Sequence, residues 1–271
     1  MKTSDLVILV ADAISESGQL VCKKLAAAGH VVFGGYEAPA PECLKYAASI
    51  TPLPLDVSCD NSVSDAITHI IKATQRIDIV INNLRAPMFG AIEAVHIGIA
   101  EQYINKMLIG AARLQNAVLP VMRAQGFGRI INFNSSEHNL DASFSGWQTA
   151  VVAALGKMND TVNRELSGTG VAVTNKKIGL FNTQSTRPYI SEIDHKLASV
   201  DMADVGAFSR KILAETVTAP TVDEEANMIV DAIKSDMTQV AERRSHDNCY
   251  RAKLPGQTAG RYAVRVRGSK W

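Results

Sequence analysis

A repeated alternation of short apolar, β-branched runs with stretches of helical spacing constrains this chain more than any other feature. Residues 6–10, LVILV, form a continuous apolar run, and QLVCKKLAAAG then carries helical spacing as far as Gly29. HVVFGG reads as a second short buried strand, and the alternation continues through ITPLPLDVS, a helix around 61 to 74, and IDIVINN. A helical stretch from about 100 to 125 leads through GFG into RIINFN, and a helix from about 147 to 166 precedes VAVTN. Strand followed by helix, repeated, predicts a parallel sheet with helices on both faces, a doubly wound α/β domain. Ligands of such sheets lie beyond the carboxyl ends of the strands, so function is expected after Val10, Asn83, Asn134 and Asn175.

The 271 residues suit one α/β domain over residues 1–240, followed by a basic C-terminal extension over 241–271. A net charge of +1 and 46% hydrophobic residues argue against disorder and against an overall basic nucleic-acid binder, and favour a small-molecule substrate as partner. Cys22, Cys43, Cys59 and Cys249 have no CxxC spacing, and no leader or long apolar run opens the chain, so free thiols, a cytoplasmic location and no membrane association are expected. The histidines form no HxxxH or HExxH pair, and no metal site is expected.

The strings LDVS at 55–58, RIDIVINN at 76–83, AVLPVM at 117–122, GFGRIINFNSS at 126–136 and NREL at 163–166 stand in the order and spacing of the short-chain dehydrogenase/reductase superfamily. The chain resembles that family over roughly residues 5 to 235, which implies a Rossmann-like fold and, ordinarily, a nicotinamide dinucleotide. Against that expectation stand several departures. The glycine-rich turn that approaches the pyrophosphate reads ADAISESG, in which Gly18 survives while Asp12 and Glu16 replace the other glycines. Carboxylates there predict repulsion of a diphosphate. The family's NNAG appears as Asn82, Asn83, Leu84 and Arg85, with bulk on the adenosine side. Tyr36 and Glu37 follow the second strand, where Glu37 would accept from ribose hydroxyls and repel a 2′-phosphate. Asp56 matches an adenine contact of the family and is equally an ordinary helix-start signal.

The resemblance places the catalytic serine on Ser135, the tyrosine on Gln148, the lysine on Val152 and the tetrad asparagine on Met107. A one-residue slip would bring Trp147 or Thr149 to the tyrosine position and restore nothing. Without a phenol of lowered pKa, ordinary carbonyl reduction lacks its general acid. Halohydrin dehalogenases, which resemble this fold without redox chemistry, have a loop similar to NNLRAPMF, but their tyrosine and arginine are missing here too.

Three groups stand where replacements are expected. Lys176 and Lys177 end a strand that the family keeps apolar, as Schiff-base, base or anion-holding candidates against a structural role paired with Asp12 or Glu16. Glu137, His138 and Asp141 follow Ser135, with His138 a candidate base or an inert loop residue. NTQSTRPY at 182–189 matches the segment covering substrate: Asn182, Arg187 and Tyr189 are substrate-binding candidates with Asn83, Arg85 and Trp147, while Thr183 sits where a carboxamide-binding threonine is usual. These departures lead to the expectation of a cofactor-independent lyase, isomerase or hydratase acting on a small, aromatic or anionic carbonyl compound, with Ser135, Lys176, Lys177, His138 and Gln148 as catalytic candidates. The alternatives are an NAD(P)-dependent oxidoreductase, whose dinucleotide would meet Gly18, Glu37, Asp56, Asn83 and Thr183, and an inactive scaffold. The extension carries eight basic and two acidic residues, leaving the remainder acidic, and RYAVRVR alternates like an edge strand, so a homo-oligomer (dimer or tetramer) is expected and nucleic-acid binding is not.

Overall fold

Six parallel strands form one sheet in the order β3-β2-β1-β4-β5-β6. The computed structural model describes residues 6–37, 50–83, 88–135, 144–178 and 220–235. In chain order the elements are β1 (Val7–Val10), α1 (Glu16–Ala27), β2 (Val31–Tyr36), β3 (Ile50–Pro54), α2 (Asp60–Thr74), β4 (Ile79–Asn82), α3 (Ile97–Ile104), a π-helical turn (Asn105–Ile109), α4 (Gly110–Gln125), β5 (Gly128–Ser135), α5 (Gly146–Glu165) and β6 (Val171–Ile178). The chain divides into two compact units, Met1–Asp231 and Ala232–Trp271. All of the basic extension lies outside the described residues, as does its expected role in assembly.

The order follows from chain chemistry. β1 and β4 are buried along their whole length, as strands covered on both faces must be, and they lie side by side at the centre. On one face Val7, Leu9, Phe33, Val80, Ile130 and Val173 pack against Val63, Ile67 and Ile70 of α2 and Leu114, Val118 and Met122 of α4. α1 buries Val21, Cys22 and Leu25. The strand order reverses between β1 and β4, each leading into its own layer, and this switch point opens a crevice at the carboxyl ends.

The opposite edge of the sheet is closed by polar clamps. Asp78, almost fully buried, accepts from the Val7 N–H at 2.8 Å and from Arg76 at 2.5 Å, and Gln125 accepts from the Ile77 N–H while donating to the Ile77 and Phe127 carbonyls. Between α4, α5 and β6 runs a chain of amides: Gln115 Nε2 donates to Asn159 Oδ1 at 2.7 Å, and Asn159 Nδ2 donates to Asn175 Oδ1 at 2.6 Å. Each buried amide is thereby partnered, which fixes α5 against the sheet and sets where its N-terminus sits. No described helix is long and apolar enough to cross a membrane.

Candidate active site

Among the described residues, Asn83 and Ser135 stand at the carboxyl ends of β4 and β5, whereas Asn175, expected at a strand tip, lies within β6, which continues to Ile178. The β1–α1 turn is described in full. Ser15 caps α1 by accepting from the Gly18 N–H at 3.2 Å, and its own N–H donates to Asp12 Oδ1 at 3.3 Å. Gly18 is required by space. A Cβ there would lie 2.0 Å from the Asp12 carbonyl oxygen and 2.8 Å from Ser15 Oγ. Through the Ser15 N–H bond the Asp12 carboxyl turns into its own loop, where burial raises it above the usual range against the opposing pull of Ser15 and the Lys106 ammonium. Cys22 beneath the turn is a free thiol pushed up to about 12 by burial and by Asp12. Cys59 is also free, while Cys43 and Cys249 lie outside the described residues.

Lys106, which the sequence reading did not single out, changes the electrostatics of the crevice. Its Nζ lies 2.5 Å from Glu37 Oε1, just past the tip of β2. An exposed pair of this kind contributes only about 0–1 kcal/mol to stability, so its consequence is where it puts charge. The ammonium pairs with Glu37, the carboxylate expected to repel a 2′-phosphate, and also pulls on Asp12, one of the two expected to repel a diphosphate. The missed signal has a structural cause: Lys106 sits in the π-helical turn, whose wider winding departs from the 3.6-residue period that places a side chain from sequence. Met107, on which the resemblance sets the tetrad asparagine, lies in the same turn and is half-buried.

At the tip of β4, Asn82 Nδ2 donates to Asn132 Oδ1 across the sheet, and buried Asn83 reaches Ser17 Oγ of α1 at 3.5 Å. Asp56 Oδ1 accepts from the Ser58 N–H and the Asp56 N–H donates to Ser62 Oγ, so Asp56 folds the β3–α2 connection as a helix-start residue does. Ser135 is the last residue of β5, in register with Ile178 of β6. Lys176 and Lys177 pair in register with Phe133 and Asn134, and the Lys176 side chain is half-buried and engaged. Gln148 is almost completely buried in the first turn of α5, with Oε1 accepting from the Met88 N–H at 3.0 Å. Val152, one turn further on, is half-buried. Trp147 Nε1 is buried and makes no hydrogen bond. The side chains of Ser135 and Lys177, and residues Leu84, Arg85, Glu137, His138, Asp141, Asn182, Thr183, Arg187 and Tyr189, lie outside the described structure. No group of three metal-ligating side chains occurs among the described residues.

The inward carboxyl of Asp12 gives a test. Asp12→Asn keeps Oδ1 as acceptor for Ser15 and removes the buried charge. A carboxyl raised in the folded state costs stability as pH climbs above its unfolded value of 3.8, because the unfolded chain then releases a proton that the folded chain retains. The variant is expected to melt above wild type at neutral pH, with the difference vanishing under acidic conditions. Equal melting temperatures at neutral pH would show that Asp12 is not strained by burial.

The turn is less hostile to a dinucleotide than its sequence indicated: Asp12 accepts from Ser15 within its own loop, Gly18 lets α1 start close against the Asp12 carbonyl, and Lys106 offsets the charge of Glu37. Comparison with known proteins agrees. The family model for short chain dehydrogenases matches residues 6–194. A 3-ketodihydrosphingosine reductase of Bacteroides thetaiotaomicron is 29% identical over 208 residues, covering 76% of this chain and 75% of that protein. A probable NADP-dependent dehydrogenase of Haemophilus influenzae is 27% identical over 186 residues, covering 66% and 72%. Among solved structures, a short-chain dehydrogenase from Streptomyces avermitilis superimposes with a TM-score of 0.61 at 22% identity, covering 90% of this chain and 99% of that one. A metagenomic short-chain oxidoreductase in complex with NADP gives a TM-score of 0.58 at 20% identity, covering 65% and 82%.

Two expectations are thereby corrected. The cofactor-independent lyase, isomerase or hydratase is overturned by similarity to reductases and dehydrogenases, and the absence of a cofactor by the family match and the NADP named for two of these proteins. The error was physical: charge at Asp12 and Glu16 was counted from sequence as if both faced the ligand, without the inward turn of Asp12 or the ammonium of Lys106. With the family model matching residues 6–194, from β1 through β6, the chain belongs to the short chain dehydrogenase family.

Proposed function

We propose that the protein is an NAD(P)-dependent oxidoreductase that interconverts a carbonyl and a hydroxyl group on a small molecule in the crevice beyond β1, β4 and β5. The observation that carries this reading is the unbroken family match across every strand lining that crevice, supported by relatives named as reductases and dehydrogenases. Gly18 and the N-terminus of α1 would hold the diphosphate, Glu37 the ribose hydroxyls, and Asn83 the wall beside them. A nicotinamide held there would supply or accept the hydride. Lys106 keeps the ribose end near neutral, which admits a 2′-phosphate that Glu37 alone would repel. Ser135, the last residue of β5, would lend its hydroxyl to the reacting oxygen, the role the family resemblance gives it.

Loss of reduced-nicotinamide absorbance tests this reading, with NADH and NADPH each offered with a panel of aliphatic, aromatic and anionic ketones. Saturable, enzyme-dependent oxidation is expected with at least one pair. Lys106→Met is expected to weaken NADPH more than NADH, by about tenfold, the size of one charge-assisted contact. No oxidation of either dinucleotide with any ketone would overturn the reading.

A further inference from the structure

Gln148 stands where the family's tyrosine belongs, and it carries an unsatisfied donor. Its side chain is 1% exposed and its Nε2 finds no acceptor. The amide cannot be turned round to cure this, because the Met88 N–H is a donor and must face Oε1, at 3.0 Å. A buried N–H₂ without a partner is rare in folded proteins, and a leucine or methionine would fill the same space without leaving one.

The surroundings of that amide are arranged independently of it. The Gly90 N–H donates to the Phe144 carbonyl at 2.7 Å, so the segment after β4 is tied to the entry of α5 at two places. Phe144 is held at a φ of 67°, a left-handed conformation that bulky residues avoid and that is retained mainly at functional positions. The 20-residue helix α5 begins without a side-chain cap and with no acidic residue in its first turn, in contrast to α1, which has Ser15 and Glu16. No acidic side chain of its own first turn offsets its partial positive charge, which reinforces any donor there that meets developing negative charge.

We infer that Gln148 Nε2 is the hydrogen-bond donor to the substrate's carbonyl oxygen, an oxyanion-holding group in place of a proton-donating phenol. The inference rests on the oxidoreductase reading and extends it to the reacting oxygen. As a hydride adds to the carbonyl carbon, a C–H bond forms and the C=O π pair becomes a lone pair on an alkoxide oxygen. Gln148 holds that oxygen, and the proton that completes the alcohol comes from water, because a carboxamide N–H does not ionise near neutral pH. The substrate class this favours is a carbonyl compound whose reduction tolerates a solvent proton, such as an activated aryl or α-keto carbonyl.

Acetophenone and pyruvate, each labelled at the carbonyl carbon with ¹³C, serve as probes. Binding to the full chain without dinucleotide is followed by isotope-edited infrared spectroscopy and by the ¹⁵N side-chain signals of glutamine. At least one probe is expected to bind with its carbonyl stretch lowered and to shift the Gln148 amide protons downfield. Q148E, at alkaline pH, keeps an acceptor for Met88 and loses the donor, so about a tenfold loss of affinity and of the infrared shift is expected, with circular dichroism unchanged. Q148L, assayed alongside, separates loss of the donor from the added carboxylate charge. Equal binding and equal shift in wild type and both variants overturn the inference, as does a wild type that binds neither probe. Because no dinucleotide is present, either failure is distinct from failure of hydride transfer.

Discussion

Gly18→Ala is expected to destabilise the protein by about 2–4 kcal/mol and to weaken dinucleotide binding at least tenfold. Gly18 lies in the first turn of α1 with ordinary helical geometry, so alanine would normally gain about 1 kcal/mol of helix propensity. Space decides the sign. The added Cβ would fall 2.0 Å from the Asp12 carbonyl oxygen, and backbone cannot swing aside as a flexible side chain does. The turn must open, which breaks the Ser15 cap and carries Asp12 away from the Ser15 N–H. Gly156→Ala is the matched control: it lies within α5 with nothing within 4 Å of its would-be Cβ, so about 1 kcal/mol of stabilisation is expected there. Thermal melts of both variants, with calorimetric titration of the first, check the pair. A Gly18→Ala protein as stable as wild type would show that the turn is looser than the structure describes.

Restoring the family's acid and its activating cation together, as Q148Y with V152K, is expected to raise ketone reduction by about 10²–10⁴-fold, the usual contribution of a positioned general acid. Residues 148 and 152 are one helical turn apart on the same face of α5, so an ammonium at 152 lies beside a phenol at 148 and lowers its pKa. The profile should also change shape. Reduction needs the phenol protonated, so the rate of the double variant should fall as pH rises through the phenol's pKa, whereas wild type, drawing its proton from water, lacks that limb. Q148Y alone should gain less. A double variant that folds, binds dinucleotide and shows no gain on any ketone would place the reacting oxygen away from this turn of α5.

The sheet was legible in the chain because β1, β2 and β4 carry apolar, β-branched runs; β3, which buries only Ile50 and Leu53, followed from the strand-helix rhythm, as did the doubly wound order. For Asp56, left open between an adenine contact and a helix start, the local geometry is that of a helix start: its carboxylate accepts from the Ser58 N–H two positions on, and its backbone N–H donates to Ser62 Oγ. The crevice was less legible because it depends on directions. Asp12 and Lys106 are far apart in sequence, and only the fold shows that one turns inward and that the other crosses to Glu37. Gln148 was visible as a substitution for tyrosine, but its significance lies in a free N–H₂ that exists only because Met88 fixes the other end of the amide.

Calorimetric titration of the full chain with NADH and with NADPH tests the central claim most directly. Saturable one-to-one binding of at least one of them, with a dissociation constant between about 1 μM and a few hundred μM, is predicted from the inward carboxyl of Asp12 and the cation at Lys106. Absence of binding heat for both at millimolar ligand, in a protein that melts cooperatively, would contradict it.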